Sequence, residues 1–264
     1  MKIESGYAAV NGTRLYYEVA GSGEALVLAH GFTLDARMWD KQFEPFAEQY
    51  RVVRYDARGF GRSALPDGAE YSRVEDQCAL MAHLGIARAH ILGLSMGGAL
   101  AIDFALAHPE MTRTLIAADA VMSGYRFSAH WSAMYKPVGD APDEAAKKRA
   151  WLDCALFAPA REQPAVAAKL AQMVAEYSGY HWRQSDRHRH GDAISALERL
   201  RAPALAILGE HDLPDIHTVA DLLATRAGAR KAVVPGAGHM LPMEDPVAFN
   251  RIVLEFLAAH RGGD

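Results

Sequence analysis

Apolar and polar positions along this chain change period repeatedly, and the changes delimit its elements. Residues 7–20 alternate as two strands would, and Asn11-Gly12 between them favours the positive φ angles of a tight hairpin. Ala25-Leu26-Val27-Leu28-Ala29 is apolar throughout, the pattern of a strand buried on both faces. A helical stretch over 36–50 and a strand at Arg51–Tyr55 follow. The alternation continues with a helix over 71–84, a strand at Ala89–Leu94, a helix over 96–107 stopped by His108-Pro109, and a strand over 114–118. It then pauses. Beyond Met122 lie helical patterns, including 143–156 and 164–178, and strand patterning resumes only at Ala204–Gly209. A helix over 216–226, a strand over 231–234 and a helix over 246–260 complete the chain.

Strand and helix in alternation imply an α/β protein with a mostly parallel sheet covered on both faces and a site beyond the carboxyl ends of its strands. The interruption reads as a helical cap over 122–195 inserted into a core of 1–121 and 196–264. Three of the four tryptophans, Trp131, Trp151 and Trp182, fall in that insertion.

Composition narrows the function classes. Asp and Glu (32) outnumber Lys and Arg (28), so the basic excess of a nucleic-acid partner is missing. No apolar run approaches membrane-spanning length and the first residues lack a signal-like apolar region, so a cytoplasmic protein without membrane partners is expected. Cys78 and Cys154 form no C-x-x-C pair and are expected as buried thiols.

The chemistry gathers at strand ends. Gly93-Leu94-Ser95-Met96-Gly97 is a G-x-S-x-G strand-turn-helix signature that exposes a serine hydroxyl at the mouth of a helix. Asp212 follows one later strand and His239, in Gly238-His239, follows the last. A serine needs a base of suitable pKa, the role of His239, and the imidazole needs a carboxylate to fix its tautomer, the role of Asp212. Backbone N–H groups of Phe32, after His30-Gly31, and of Met96 are the natural oxyanion donors.

In this order, His30-Gly31-Phe32, Asp56-x-Arg58-Gly59-x-Gly61-x-Ser63, Gly93-x-Ser95-x-Gly97-Gly98, Gly209-x-x-Asp212 and Gly238-His239 make the whole chain resemble the α/β-hydrolases with a helical cap. The resemblance implies an eight-stranded, mostly parallel sheet flanked by helices. It also implies a serine hydrolase of a small or medium carboxylic ester or lactone, working through an acyl-enzyme without metal or organic cofactor. Carboxylesterases, enol-lactonases and cofactor-free haloperoxidase-like members are the nearest in wording. Epoxide hydrolases and haloalkane dehalogenases of this fold carry an aspartate nucleophile, which Ser95 does not match.

Alternatives stay open. The same triad serves hydrolases of carbon–carbon bonds in ring-cleavage products, and some members of the fold act as small-molecule receptors. Asp119 and Asp215 rival Asp212 for the acid. His30 is expected to support the oxyanion loop, Asp56 and Arg58 to tie a turn, and His90 to lie near the surface. Trp131, Tyr135, Trp151 and Trp182 are candidates for the pocket wall. His188 and His190 lack zinc-type spacing, and Arg183 is a candidate partner for a substrate carboxylate. The oligomeric state is not legible.

Overall fold

Strands that are apolar at every position need cover on both faces, and the computed structural model, which describes residues 2–184 and 186–262, buries β3 (Ala25–Ala29), β5 (Ala89–Leu94) and β7 (Ala204–Gly209) throughout. With β1 (Ile3–Val10), β2 (Thr13–Ala20), β4 (Arg51–Tyr55), β6 (Thr112–Ala118) and β8 (Arg230–Val234) they form one eight-stranded sheet, ordered β1-β2-β4-β3-β5-β6-β7-β8. The β1–β2 hairpin turns at Asn11 and Gly12, both at positive φ, and β2 is antiparallel to β4; every later pairing is parallel. This is the α/β-hydrolase sheet that the motifs imply.

Core helices α1 (Asp40–Ala47), α2 (Arg73–His83) and α3 (Met96–Ala107) follow the early strands. Between β6 and β7 lie α4 (Ala129–Asp140), α5 (Glu144–Asp153), α6 (Ala158–Arg161), α7 (Pro164–Glu176) and α8 (Tyr180–Arg183). The chain closes with α9 (Pro214–Ala227), α10 (Leu241–Glu244) and α11 (Pro246–Ala258). Periodicity missed α4, whose interior Pro137 and weakly apolar face hide the helix; Ser128 caps it by accepting the Trp131 N–H at 3.3 Å.

The two roots of this helical segment are fastened to each other and to the core. Ser123 Oγ donates to Asp103 and accepts the Ala193 N–H at 2.9 Å, while Ile194 N–H donates to Ser123 O at 3.2 Å. Asp215, at the start of α9, accepts from Ser128 N–H at 2.8 Å and Ser128 Oγ at 2.6 Å.

His90 departs from expectation. It is fully buried on β5, with Nδ1 2.8 Å from Thr114 Oγ1 and Nε2 3.4 Å from Glu24, and burial lowers its pKa. A histidine inside an apolar strand looks like an edge residue until its cross-strand hydroxyl partner is known. Both cysteines are free thiols, Cys154 buried and Cys78 half-buried. No helix among the described residues is long and apolar enough to cross a membrane.

Candidate active site

Ser95 links β5 to α3 at φ 54° and ψ −111°. Such a conformation costs a non-glycine residue about 1–3 kcal/mol, so the surroundings must enforce it. They do so through glycines. A Cβ on Gly93 would strike Gly97 O and lie 2.8 Å from Gly98 N, one on Gly97 would lie 2.6 Å from the Ala29 carbonyl carbon, and one on Gly98 2.5 Å from Ala120 Cβ. Only bare backbone lets the first turn of α3 nest against β3 and β5. Ser95 N–H donates to Ala118 O at 3.0 Å and its carbonyl accepts the Ala99 and Val121 amides, which leaves the side chain as the part not bound into the frame.

Asp212 and His239 meet for a similar reason. A Cβ on Gly209 would lie 2.5 Å from Ala237 O, so glycine allows the loops after β7 and β8 to touch, and His211 N–H donates to Ala237 O at 2.8 Å. His239 Nδ1 then lies 2.8 Å from Asp212 Oδ2, whose other oxygen accepts the Leu213 N–H at 2.6 Å. Both side chains are buried. Because a carboxylate only accepts, Nδ1 carries the proton and Nε2 is left as the basic nitrogen.

One contributor had no sequence signal. Glu244, in α10, accepts the Gly238 and Met240 amides on its two oxygens and so clasps the backbone on both sides of His239. Burial raises its pKa while these bonds oppose the rise.

The sequence profile of the alpha/beta hydrolase family matches residues 26–252, nearly the whole chain. The chain belongs to this family. Among curated relatives it is similar to 3-oxoadipate enol-lactonase 2 of Acinetobacter baylyi, 28% identical with 90% of this chain and 91% of that one covered. Among solved structures it is similar to the enol-lactonase of Burkholderia xenovorans LB400, with a TM-score of 0.83, 29% identity and coverage of 96% and 100%. A hydrolase from Pseudomonas aeruginosa PA01 superposes with a TM-score of 0.79 at 30% identity, covering 96% and 98%.

Within this α/β-hydrolase frame the rival acids have other partners. Asp215 holds the root of α4, as described. Asp119, at φ 41° beyond β6, is wholly buried and accepts the Gly209 N–H at 2.9 Å on Oδ1, while among the described residues Oδ2 has no hydrogen-bond partner. Burial and then the Asp212 carboxylate beside it push its carboxyl well upward. His30 sits under the oxyanion loop: Nε2 accepts the Ala57 N–H at 2.9 Å, Nδ1 faces Gly31 O at 2.8 Å, and burial lowers its pKa. Asp56 accepts the Ala36 and Arg62 amides, and Arg58 forks onto Asp76, so both charges brace turns.

Among the described residues, no turn or loop hydrogen bond engages the Phe32 or Met96 amide. Ser95, Phe32 and Met96 line a cavity of about 320 Å³, to which the insertion contributes Trp131, Tyr135 and Trp151. Trp151 also reaches the oxyanion loop itself, its Nε1–H donating to Thr33 Oγ1 at 2.7 Å, and Thr33 holds Phe32 O at 2.6 Å. Two candidates stand elsewhere. Trp182 backs the wall, donating to Tyr135 Oη at 3.1 Å, and Arg183 is half-exposed and paired with Glu144, so its guanidinium is not on this cavity. The arginine on the cavity is Arg73, at the start of α2, which periodicity had placed merely as a helix residue.

Proposed function

We propose that the chain is a serine hydrolase of carboxylic esters or lactones. The observation that carries this reading is the 2.8 Å contact between His239 Nδ1 and Asp212, which leaves Nε2 as the base for a serine held in a strained turn. Ser95 attacks the carbonyl as His239 takes its proton, and the oxyanion is met by the Phe32 and Met96 amides, reinforced by the N-terminus of α3. His239 returns the proton to the leaving alcohol. Water, activated by the same base, then releases the acid and restores the hydroxyl. The insertion over 122–195 acts as the cap, and its indoles exclude water from the acyl-enzyme. The enol-lactonase relatives support lactones within the substrate range.

The test is burst kinetics with p-nitrophenyl esters of increasing acyl length, beside Ser95→Ala and mass spectrometry of the serine peptide. Turnover that disappears in the variant, with an acyl adduct on Ser95, is the expected result. Silence toward every ester, with Ser95 unlabelled by a fluorophosphonate, would refute the proposal.

A further inference from the structure

Arg73 and Arg58 are both buried arginines paired with a carboxylate, and the way they pair differs. Arg58 presents its fork: Nε and Nη2 contact Asp76 at 2.9 and 2.7 Å, the bidentate geometry a structural guanidinium favours. Arg73 meets Asp186 end-on. Among the described residues its three hydrogen bonds run through Nη2, to Asp186 Oδ2 at 2.9 Å, Tyr71 Oη at 3.0 Å and His181 Nε2 at 3.1 Å. Among the described residues Nε–H has no acceptor although it is buried, and the residue is 6% exposed. A buried donor left unpaired is costly, more so on a cation.

Nε–H is shut off by burial, so the donor left for a ligand is Nη1, which makes none of these bonds among the described residues. Arg73 lines the Ser95 cavity, and it also lines a neighbouring cavity of about 300 Å³ that shares Met96, Val121 and His190 with the first. The rest of the Ser95 cavity is largely aromatic and aliphatic, so polarity is concentrated at the Arg73 end.

Charge decides what the donors are suited to. Asp186 lines the same cavity and cancels the guanidinium at 2.9 Å, its other oxygen accepting from Tyr71 Oη at 2.8 Å. Two neighbouring imidazoles are held below their ordinary value: burial and Arg73 hold His181 down at about 4, and burial, then Arg73 and His190, hold His188 at about 3. Asp103, on the second cavity, is pushed upward by burial. A substrate carboxylate would gain Arg73 and meet Asp186.

Resting on the serine-hydrolase reading, we infer that Arg73 is a specificity residue that receives an uncharged acceptor oxygen of the substrate, a second carbonyl or ether oxygen remote from the scissile bond. The substrate class is therefore a neutral, oxygen-bearing ester or lactone whose apolar part lies against Phe32, Trp131 and Trp151.

The experiment compares kcat/KM for p-nitrophenyl hexanoate, its 4-oxo and 5-oxo analogues, and mono-p-nitrophenyl glutarate, in the native protein, Arg73→Met and Asp186→Asn. The readout is the ratio to hexanoate within each protein, so a general loss of folded enzyme cancels. One oxo ester is expected to exceed hexanoate by about tenfold or more, as a hydrogen bond to a charged donor allows. The glutarate is expected to fall below hexanoate. The oxo advantage disappears in Arg73→Met, and the glutarate rises relative to hexanoate in Asp186→Asn. Equal ratios for all acyl groups, or a native preference for the glutarate, would overturn the inference while leaving ester hydrolysis intact. If no ester is turned over, the serine-hydrolase reading fails. The acyl series is then read as thermal shifts on Ser95→Ala protein, where equal shifts for oxo and plain esters overturn the inference.

Discussion

Replacing Gly97 by alanine tests whether the spacing between α3 and the oxyanion loop sets the rate. The new Cβ would lie 2.6 Å from the Ala29 carbonyl carbon and 2.7 Å from His30 O, with Ala29 O nearer still. Ordinary carbon–carbon contact needs about 3.5 Å, so helix and strand must separate by about 1 Å. Both obstacles are backbone, so no side chain can swing aside. The helix carries the Met96 amide and the Ala29–His30 backbone leads to the Phe32 amide, so the substitution spreads the two donors of the proposed oxyanion hole. A displacement of about 1 Å at a reacting centre costs about a hundredfold in rate, equivalent to about 2.7 kcal/mol of barrier. Overpacking adds about 1–3 kcal/mol of destabilisation. The assay is kcat/KM on p-nitrophenyl butyrate, normalised by fluorophosphonate active-site titration, with urea unfolding alongside. Gly139→Ala is the control, because nothing lies within 4 Å of a Cβ there, and it is expected to leave rate unchanged. A Gly97→Ala protein within threefold of the native rate, at normal stability, would refute the reasoning.

The two carboxylates near His239 should separate cleanly. Asp212→Asn is expected to lower kcat by about 10⁴-fold through the wrong imidazole tautomer, whereas Asp119→Asn, at a residue that holds the Gly209 amide and not His239, is expected to stay within a few-fold in the same assay. Asp119→Asn also carries a pH signature. A raised folded-state pKa gives stability that is complete below the unfolded value of 3.8 and is lost as pH rises. The variant should therefore gain in melting temperature over the native protein as pH increases above 4, and a constant difference would count against the upward shift of Asp119. His181 and His188 have the opposite sign: pKa values of about 4 and about 3, below the model-compound 6.5, give stability present above 6.5 and lost as pH falls toward 3. His188→Gln should flatten the acid limb of a melting-temperature profile. Trp151→Phe keeps an aromatic ring but removes the 2.7 Å bond to Thr33 and part of a buried indole, and a loss of at least about 1 kcal/mol is expected, the hydrogen bond alone supplying that much. Calorimetry should register it as a fall of at least about 2–4 °C.

How far the sequence could be read depended on the range of the interaction. Ser95, Asp212 and His239 stand in short motifs whose glycines are required by local close approach, so letters a few positions apart betray the geometry. The same holds for the sheet, since a run such as Ala25–Ala29 admits few environments. Asp119 and Asp215 could not be distinguished from Asp212 by type, because what separates them is a partner 27 to 90 residues away. Arg73, Glu244 and the Trp151–Thr33 bond left no trace in the pattern for that reason, and Arg183 seemed apt for the pocket only because its pairing with Glu144 was out of sight.

Ser123, Ala193 and Ile194 draw together the two ends of about seventy residues and pin them to Asp103. For a loop so fastened, doubling its length adds only about 0.6 kcal/mol of closure entropy. The posts are thus a standing socket, and what is plugged into it is nearly free to lengthen, shorten or be exchanged. Selection can rewrite the roof over Ser95 in large pieces while the turn that holds the serine goes on being folded by the same few glycines.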